Sequence, residues 1–259
     1  MDGEREKTIK LLVWSAIIFI IIIFAAVVYN IFIKDDGAKT SDKYILFGNY
    51  LILQKTNFSY QQIKTLDDKI LQYDYIVTDG KNTRNDVKIQ FLNNKWYLFD
   101  KEYNEIKMNT MRMATHNFKA TLVNYLRNTH IMASDDQRIH EFLENDSARK
   151  PDSYFFTKIS TDLDNDGQEE NLYTLNNNSL AAVNYPVKGF LLMEKDSNLI
   201  KIAEAENQPF TIMEIVDLES DGTYEMIVNK GDVDLKSFDS CYQIYSFKDG
   251  KFELVKDCK

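Results

Sequence analysis

Two stretches of the chain place acidic side chains at a spacing suited to gripping a metal ion. The first reads Asp162-Leu-Asp164-Asn-Asp166-Gly167-Gln168-Glu169-Glu170, and the second, 55 residues later, reads Asp217-Leu-Glu219-Ser-Asp221-Gly222-Thr223-Tyr224-Glu225. In both, acidic residues stand at positions 1, 3, 5 and 9, with Gly at 6. Calcium is a hard cation that collects about six to eight oxygens at ~2.3–2.6 Å, so alternate side chains of a tightly curled loop must converge on one point. Carboxylates at 1, 3 and 5 can do so. Gly at 6 lets the chain reverse, position 7 offers its carbonyl oxygen, and the acid at 9 closes the site. Either run alone also reads as a solvated turn, since Asp and Gly are common turn residues. Their repetition favours ion binding.

An EF-hand begins in the same way but needs a bidentate Glu at position 12, where this chain has Tyr173 and Val228. Residues 210–216 and 226–228, on either side of the second loop, are rich in strand formers and lack helical periodicity. Both loops are therefore expected between strands. Such D-x-D-x-D-G-x-x-D/E loops resemble the calcium loops of FG-GAP/VCBS-type repeats, found in integrin α-chain propellers and many bacterial surface proteins. The resemblance covers residues 154–175 and 210–228. It implies one calcium ion on Asp162, Asp164, Asp166 and Glu170 with the carbonyl of Gln168, and a second on Asp217, Glu219, Asp221 and Glu225 with the carbonyl of Thr223. Glu219 departs from the Asp or Asn usual at its position, and the phenylalanine-glycine-glycine-alanine-proline signature of the full repeat is absent. The repetition implies propeller-like strand-loop-strand units, although closed propellers use about four to eight blades and two repeats do not make a ring.

Hairpins should supply the frame. Residues 44–47 and 50–53 flank Gly48-Asn49, and residues 87–92 and 95–100 flank Asn93-Asn94. In the second hairpin a two-residue turn sets Phe91 opposite Trp96 and Ile89 opposite Leu98, one coherent apolar face. A third turn, Asp249-Gly250, pairs Phe247 with Phe252 and Tyr245 with Leu254, and counting outward brings Cys241 opposite Cys258. A non-hydrogen-bonded pair there has Cα atoms ~4.5 Å apart, within the range of a disulfide. These are the only two cysteines, and a bridge between them implies an oxidising compartment. Between 110 and 145 the apolar period lengthens to about 3.6. Met111, Ala114, Phe118, Leu122 and Tyr125 mark one helix. A shorter one follows the capping-box pattern Ser134 to Gln137 and carries Ile139, Phe142 and Leu143. Both helices are expected to pack on the sheets.

Residues 11–33, LLVWSAIIFIIIIFAAVVYNIFI, are 23 residues without a charge, about the ~20 needed to cross a bilayer. Trp14 and Tyr29 stand near the two ends, as interfacial anchors do. The run is too long for the apolar core of a cleaved signal peptide. Flanking charges are balanced, Arg5, Lys7 and Lys10 against Lys34, Lys39 and Lys43. Orientation therefore rests on the calcium loops and the disulfide, which favour a cytoplasmic N-terminus and an exported body. The organisation expected is a tail at 1–10, a transmembrane helix at 11–33, a connector at 34–43, β-hairpins plus two helices at 44–150, and a β-rich calcium-binding region at 151–259. The fold class expected is α+β, mainly β.

With 40 acidic against 31 basic residues and a net charge of −9, nucleic acid is disfavoured as a partner. There is no G-x-S-x-G elbow, phosphate-binding Gly-rich loop, C-x-x-C or H-E-x-x-H. His116, His130 and His140 have no evident ligand or nucleophile partner in the sequence, and no catalytic residue is assigned. The function expected is non-enzymatic: a membrane-anchored, periplasmic or extracellular calcium-binding protein that acts as a binding or scaffold component of the cell envelope, with a protein or cell-wall partner. Three alternatives stay open: a calcium-dependent surface hydrolase, a protein like the calcium-bearing propeller-like lysozyme inhibitors, and a subunit of a membrane machine in which Asn30 bonds a neighbouring helix.

Overall fold

Turn-forming residues and strand-forming runs together build three antiparallel sheets in the computed structural model. It describes residues 43–56, 59–93, 95–107, 111–117, 119–123, 126–127, 133–146, 154–164, 166–177, 188–206, 208–231 and 240–257. The predicted tail, membrane span and connector up to residue 42 lie outside the described residues. No helix among the described residues is long and apolar enough to cross a membrane.

The first sheet has seven strands: β1 (Lys43–Phe47), β2 (Leu51–Lys55), β3 (Tyr60–Ile63), β4 (Tyr75–Thr78), β5 (Thr83–Leu92), β6 (Lys95–Phe99) and β7 (Met113–His116). They lie in the order β3-β2-β1-β7-β4-β5-β6, with the short helix α1 (Asp68–Leu71) between β3 and β4 in the chain. The chain continues through β8 (Thr121–Leu122), β9 (Leu126–Arg127) and the helix α2 (Ala133–Asn145). Two meanders of one design follow. The first runs β10 (Tyr154–Thr161), β11 (Glu170–Asn177), β12 (Lys188–Lys195) and β13 (Asn198–Glu206), with β9 on its edge. The second runs β14 (Phe210–Asp217), β15 (Glu225–Lys230), β16 (Tyr242–Lys248) and β17 (Lys251–Lys256), with β8 on its edge. The protein is mainly β.

Apolar clusters stack these layers. Ile159, Leu172 and Leu191 of the first meander meet Ile215, Met226 and Tyr245 of the second. The second meander turns Val216, Ile227 and Ile244 to Ile45, Phe47 and Leu53 of the seven-stranded sheet. On the outer side of the first meander, Ile139 and Leu143 of α2 pack on Leu175 and Phe190. Lys43–Lys259 forms one compact unit, and β8, β9 and α2, all from before residue 150, lie against the meanders.

The Asn93-Asn94 hairpin has the register expected, with Phe91 opposite Trp96 and Ile89 opposite Leu98. The first hairpin is one residue longer in its turn than expected. Phe47 pairs with Leu51, Gly48 takes φ +47°, and the Tyr50 N–H donates to the Phe47 carbonyl at 3.2 Å. The helix expected over Met111 to Tyr125 is not present: β7 and β8 occupy that stretch, and Phe118 and Tyr125 lie outside the described residues. The physical reason is burial. β7 lies between β1 and β4 and buries Met113, Ala114 and Thr115 in succession, so the alternation that marks a half-exposed strand is lost. The second expected helix is α2, which begins at Ala133, so Ser134 stands inside its first turn.

At the third hairpin Asp249 and Gly250 both have positive φ, +50° and +71°, the signature of a type I′ turn. Phe247 pairs with Phe252 and Tyr245 with Leu254. A register shift between Ile244 and Tyr245 then sets Ile244 opposite Lys256, so counting outward from the turn does not carry in step to Cys241 and Cys258. None of the described cysteines is free, while Cys258 lies outside the described residues.

Candidate metal loops

Both acidic runs are strand-to-strand connections at the same place in their meanders. The first joins β10 to β11, closed by the ladder pair Thr161 and Glu170. The second joins β14 to β15, closed by Val216 and Glu225. Position 2 anchors each loop. Leu163 enters the core between the meanders, and Leu218 enters the core shared with the seven-stranded sheet. The acidic neighbours of these leucines are thereby held at the loop mouth.

Four hydrogen bonds recur at equivalent positions. The Leu163 N–H donates to Glu170 Oε2 at 2.6 Å, and the Leu218 N–H to Glu225 Oε2 at 2.9 Å. Asp162 accepts from the Asp166 and Gly167 N–H groups at 3.2 and 3.0 Å. Asp217 accepts from those of Asp221 and Gly222 at 3.1 and 2.9 Å. The position-5 aspartates accept from the N–H of position 7, Gln168 to Asp166 at 2.7 Å and Thr223 to Asp221 at 2.8 Å. Gly167 and Gly222 take φ +87° and +84°, a conformation costly for any residue with a Cβ. The side chains at 1, 5 and 9 are thus held by the loop's own backbone.

In the first loop, carboxylate oxygens of Asp162, Asp164 and Asp166 all lie within 4.8 Å of one another. Oxygens bound to one ion at ~2.3–2.6 Å can be at most about 5 Å apart, so this trio could hold one metal ion. Glu170 stands beside it. Burial, then the charges of Asp164 and Asp162, push its carboxyl above the ordinary value. Glu225 in the second loop is driven the same way and further, to about 7, by burial and then by Asp221 and Asp217. A bound cation would relieve this crowding of negative charge.

The second loop differs at position 3. The Glu219 carboxylate is hydrogen-bonded by Lys55 Nζ and the Tyr60 hydroxyl, on β2 and β3 of the seven-stranded sheet. The trio around Asp162 is the one carboxylate group among the described residues that converges on a point. Each loop borders a cleft of about 420 Å3. The first is walled by Asp164, Asp166, Gln168 and Glu170 with Glu194 and Asp196. The second is walled by Glu219, Asp221, Thr223 and Glu225 with Lys55 and Tyr60.

Beside the first loop lies a polar network that no motif in the sequence marks. Asp135 of α2 is buried and accepts from Lys158 Nζ at 3.2 Å, Arg138 Nη2 at 2.6 Å and the Tyr173 hydroxyl at 3.0 Å. Arg138 also pairs with Glu194 at 3.0 Å, and Asn171 Nδ2 donates to Glu194 at 2.9 Å. Burial, then the bond to Asp135, raises the Tyr173 phenol well above its usual range. His116 stacks on Tyr73 at 4.1 Å, and His140 Nδ1 lies 2.8 Å from the Asp136 carbonyl of its own helix. His130 lies outside the described residues.

No family model, curated protein or solved structure matches the chain.

Proposed function

We propose that the protein is a membrane-anchored calcium-binding component of the cell envelope, its body exported and its role that of a binding or scaffold protein. In this reading each meander is a propeller-like unit whose first connection holds a structural calcium ion. The observation that carries it is the repetition of one hydrogen-bond pattern in two loops 55 residues apart, joined to the convergence of Asp162, Asp164 and Asp166. A generic acidic turn has no reason to reproduce four bonds, a positive-φ glycine and a buried leucine twice. The apolar run at 11–33 supports the anchor, and the pair Cys241 and Cys258 supports an oxidising compartment. The partner is a protein or a cell-wall component, and nucleic acid is disfavoured by the net charge of −9.

The test is thermal unfolding of the full chain in detergent, with calcium and with chelator. Calcium at ten times its dissociation constant adds about 1.4 kcal/mol per site, or roughly 3–6 °C for a domain of this size. Coincident melting curves in calcium and chelator would overturn the structural role.

A further inference from the structure

We infer that an apolar groove between α1 and the second half of β5 is a lipid-facing surface, through which the body rests on the bilayer that anchors it. The inference rests on the membrane-anchor reading above and adds to it a contact site on the body. A change of partner along β5 makes the groove. This strand pairs with β4 as far as Val87 and with β6 from Lys88 to Leu92, and Asp86, just before the change, takes φ +55°. Helix α1 lies alongside the second stretch, where the Gln72 carbonyl at its C-terminal end accepts from Lys88 Nζ at 3.1 Å. Between them opens a groove of about 610 Å3, whose apolar lining is Leu71, Phe91, Leu92 and Phe99 together with the Tyr103 ring. Leu92 is 55% exposed and Tyr103 71%. Single exposed apolar side chains are ordinary, but these two open into one groove, and a contiguous patch marks a contact surface. Tyr103 is presented by a tight turn: its N–H donates to the Asp100 carbonyl at 3.0 Å, and its φ is +62°, a conformation uncommon for so bulky a residue.

The position of the anchor in the chain supplies the occupant. Lys43, where β1 begins, follows the apolar run 11–33 by nine residues, 34–42, which reach at most about 30 Å when fully extended. The ring of the next residue, Tyr44, is centred 5.7 Å from that of Tyr73, and Tyr73 adjoins Gln72 at the edge of the groove. The start of the body and the groove are therefore neighbours, and a bilayer within reach of one is within reach of the other. Because the anchor already confines the body to the membrane, the groove needs little affinity of its own. Acyl carbons would meet Leu71, Leu92 and Phe99, with the Tyr103 hydroxyl at the level of the headgroups, where tyrosines collect at membrane surfaces.

The test is tryptophan fluorescence of the full chain reconstituted in phosphatidylcholine vesicles, with and without acyl chains brominated near the headgroup. Trp14→Phe leaves Trp96 as the single tryptophan and sets the baseline, to which Leu92→Trp and Tyr103→Trp are added separately. Each added tryptophan is expected to lose about half of its emission to the bromolipid, as suits a ring buried ~5–10 Å into the headgroup and acyl boundary, and to be shielded from aqueous iodide. An added tryptophan at either position that bromolipid leaves bright and iodide quenches would overturn the contact while leaving the anchor standing, and would turn the groove toward a soluble partner. Extraction of the wild-type chain from the vesicles by alkaline carbonate would overturn the anchor and the contact together. Circular dichroism of each variant checks that it is folded.

Discussion

Replacing Asp135 by Leu removes the carboxylate on which α2 is fastened to the first meander. The side chain is 2% exposed and binds three donors. Two of these keep another partner after the change: Arg138 retains Glu194 at 3.0 Å, and the Tyr173 hydroxyl retains Glu194 at 3.0 Å. Lys158, 8% exposed, loses its ion pair and is left as a buried charge. Breaking a buried ion pair from one side costs about 3–5 kcal/mol. With Lys158 the one donor orphaned among the described partners, the lower end applies, about 3 kcal/mol, which is roughly 6–12 °C in melting temperature for a domain of this size. Adding Lys158→Met should recover most of the loss, because an apolar pair of similar volume is often neutral relative to the buried ions. Far-UV circular dichroism during thermal unfolding of the full chain reads both variants. A loss below about 1 kcal/mol in the single variant, or a double variant less stable than the single, would show that the buried Asp135–Lys158 pair does not fasten α2 to the meander.

Three further outcomes are expected. Gly222→Ala adds a Cβ that meets nothing within 4 Å but forces it into a φ of +84°, so it should cost about 1–2 kcal/mol and weaken calcium at the second loop only, as read by unfolding and titration together. Magnesium at the same concentration should stabilise the chain less than calcium, since it demands near-octahedral ligands at ~2.0–2.1 Å; equal melting shifts for the two ions would count against the loop geometry. Thiol titration of the chain unfolded without reductant should find no free thiol, as a bridge between Cys241 and Cys258 requires, whereas two reactive thiols would remove the bridge.

Turn chemistry explains what could be read from the chain. Asn93-Asn94 and Asp249-Gly250 force tight reversals, so pairs such as Phe91 with Trp96 and Phe247 with Phe252 follow by counting. The acidic loops were legible because their acidic side chains are local, all within nine residues. What failed was non-local. β7 is a central strand with successive buried residues, and its periodicity mimics a helix. The register shift at Ile244 leaves no mark in composition. The partners of Asp135 on the first meander, Lys158 and Tyr173, lie 23 and 38 residues away, and Lys55 lies 164 residues from Glu219. No spacing rule finds such pairs, although a Glu at position 3 of the second loop was the one visible sign that this loop departs from the first.

The most direct test of the central claim is calorimetric titration of calcium into the full chain, repeated on Asp166→Ala and Asp221→Ala. Two binding events are expected in the wild type, with dissociation constants up to about 1 mM, the first lost in Asp166→Ala and the second in Asp221→Ala. A folded wild-type chain that takes up no calcium at millimolar concentration would contradict it.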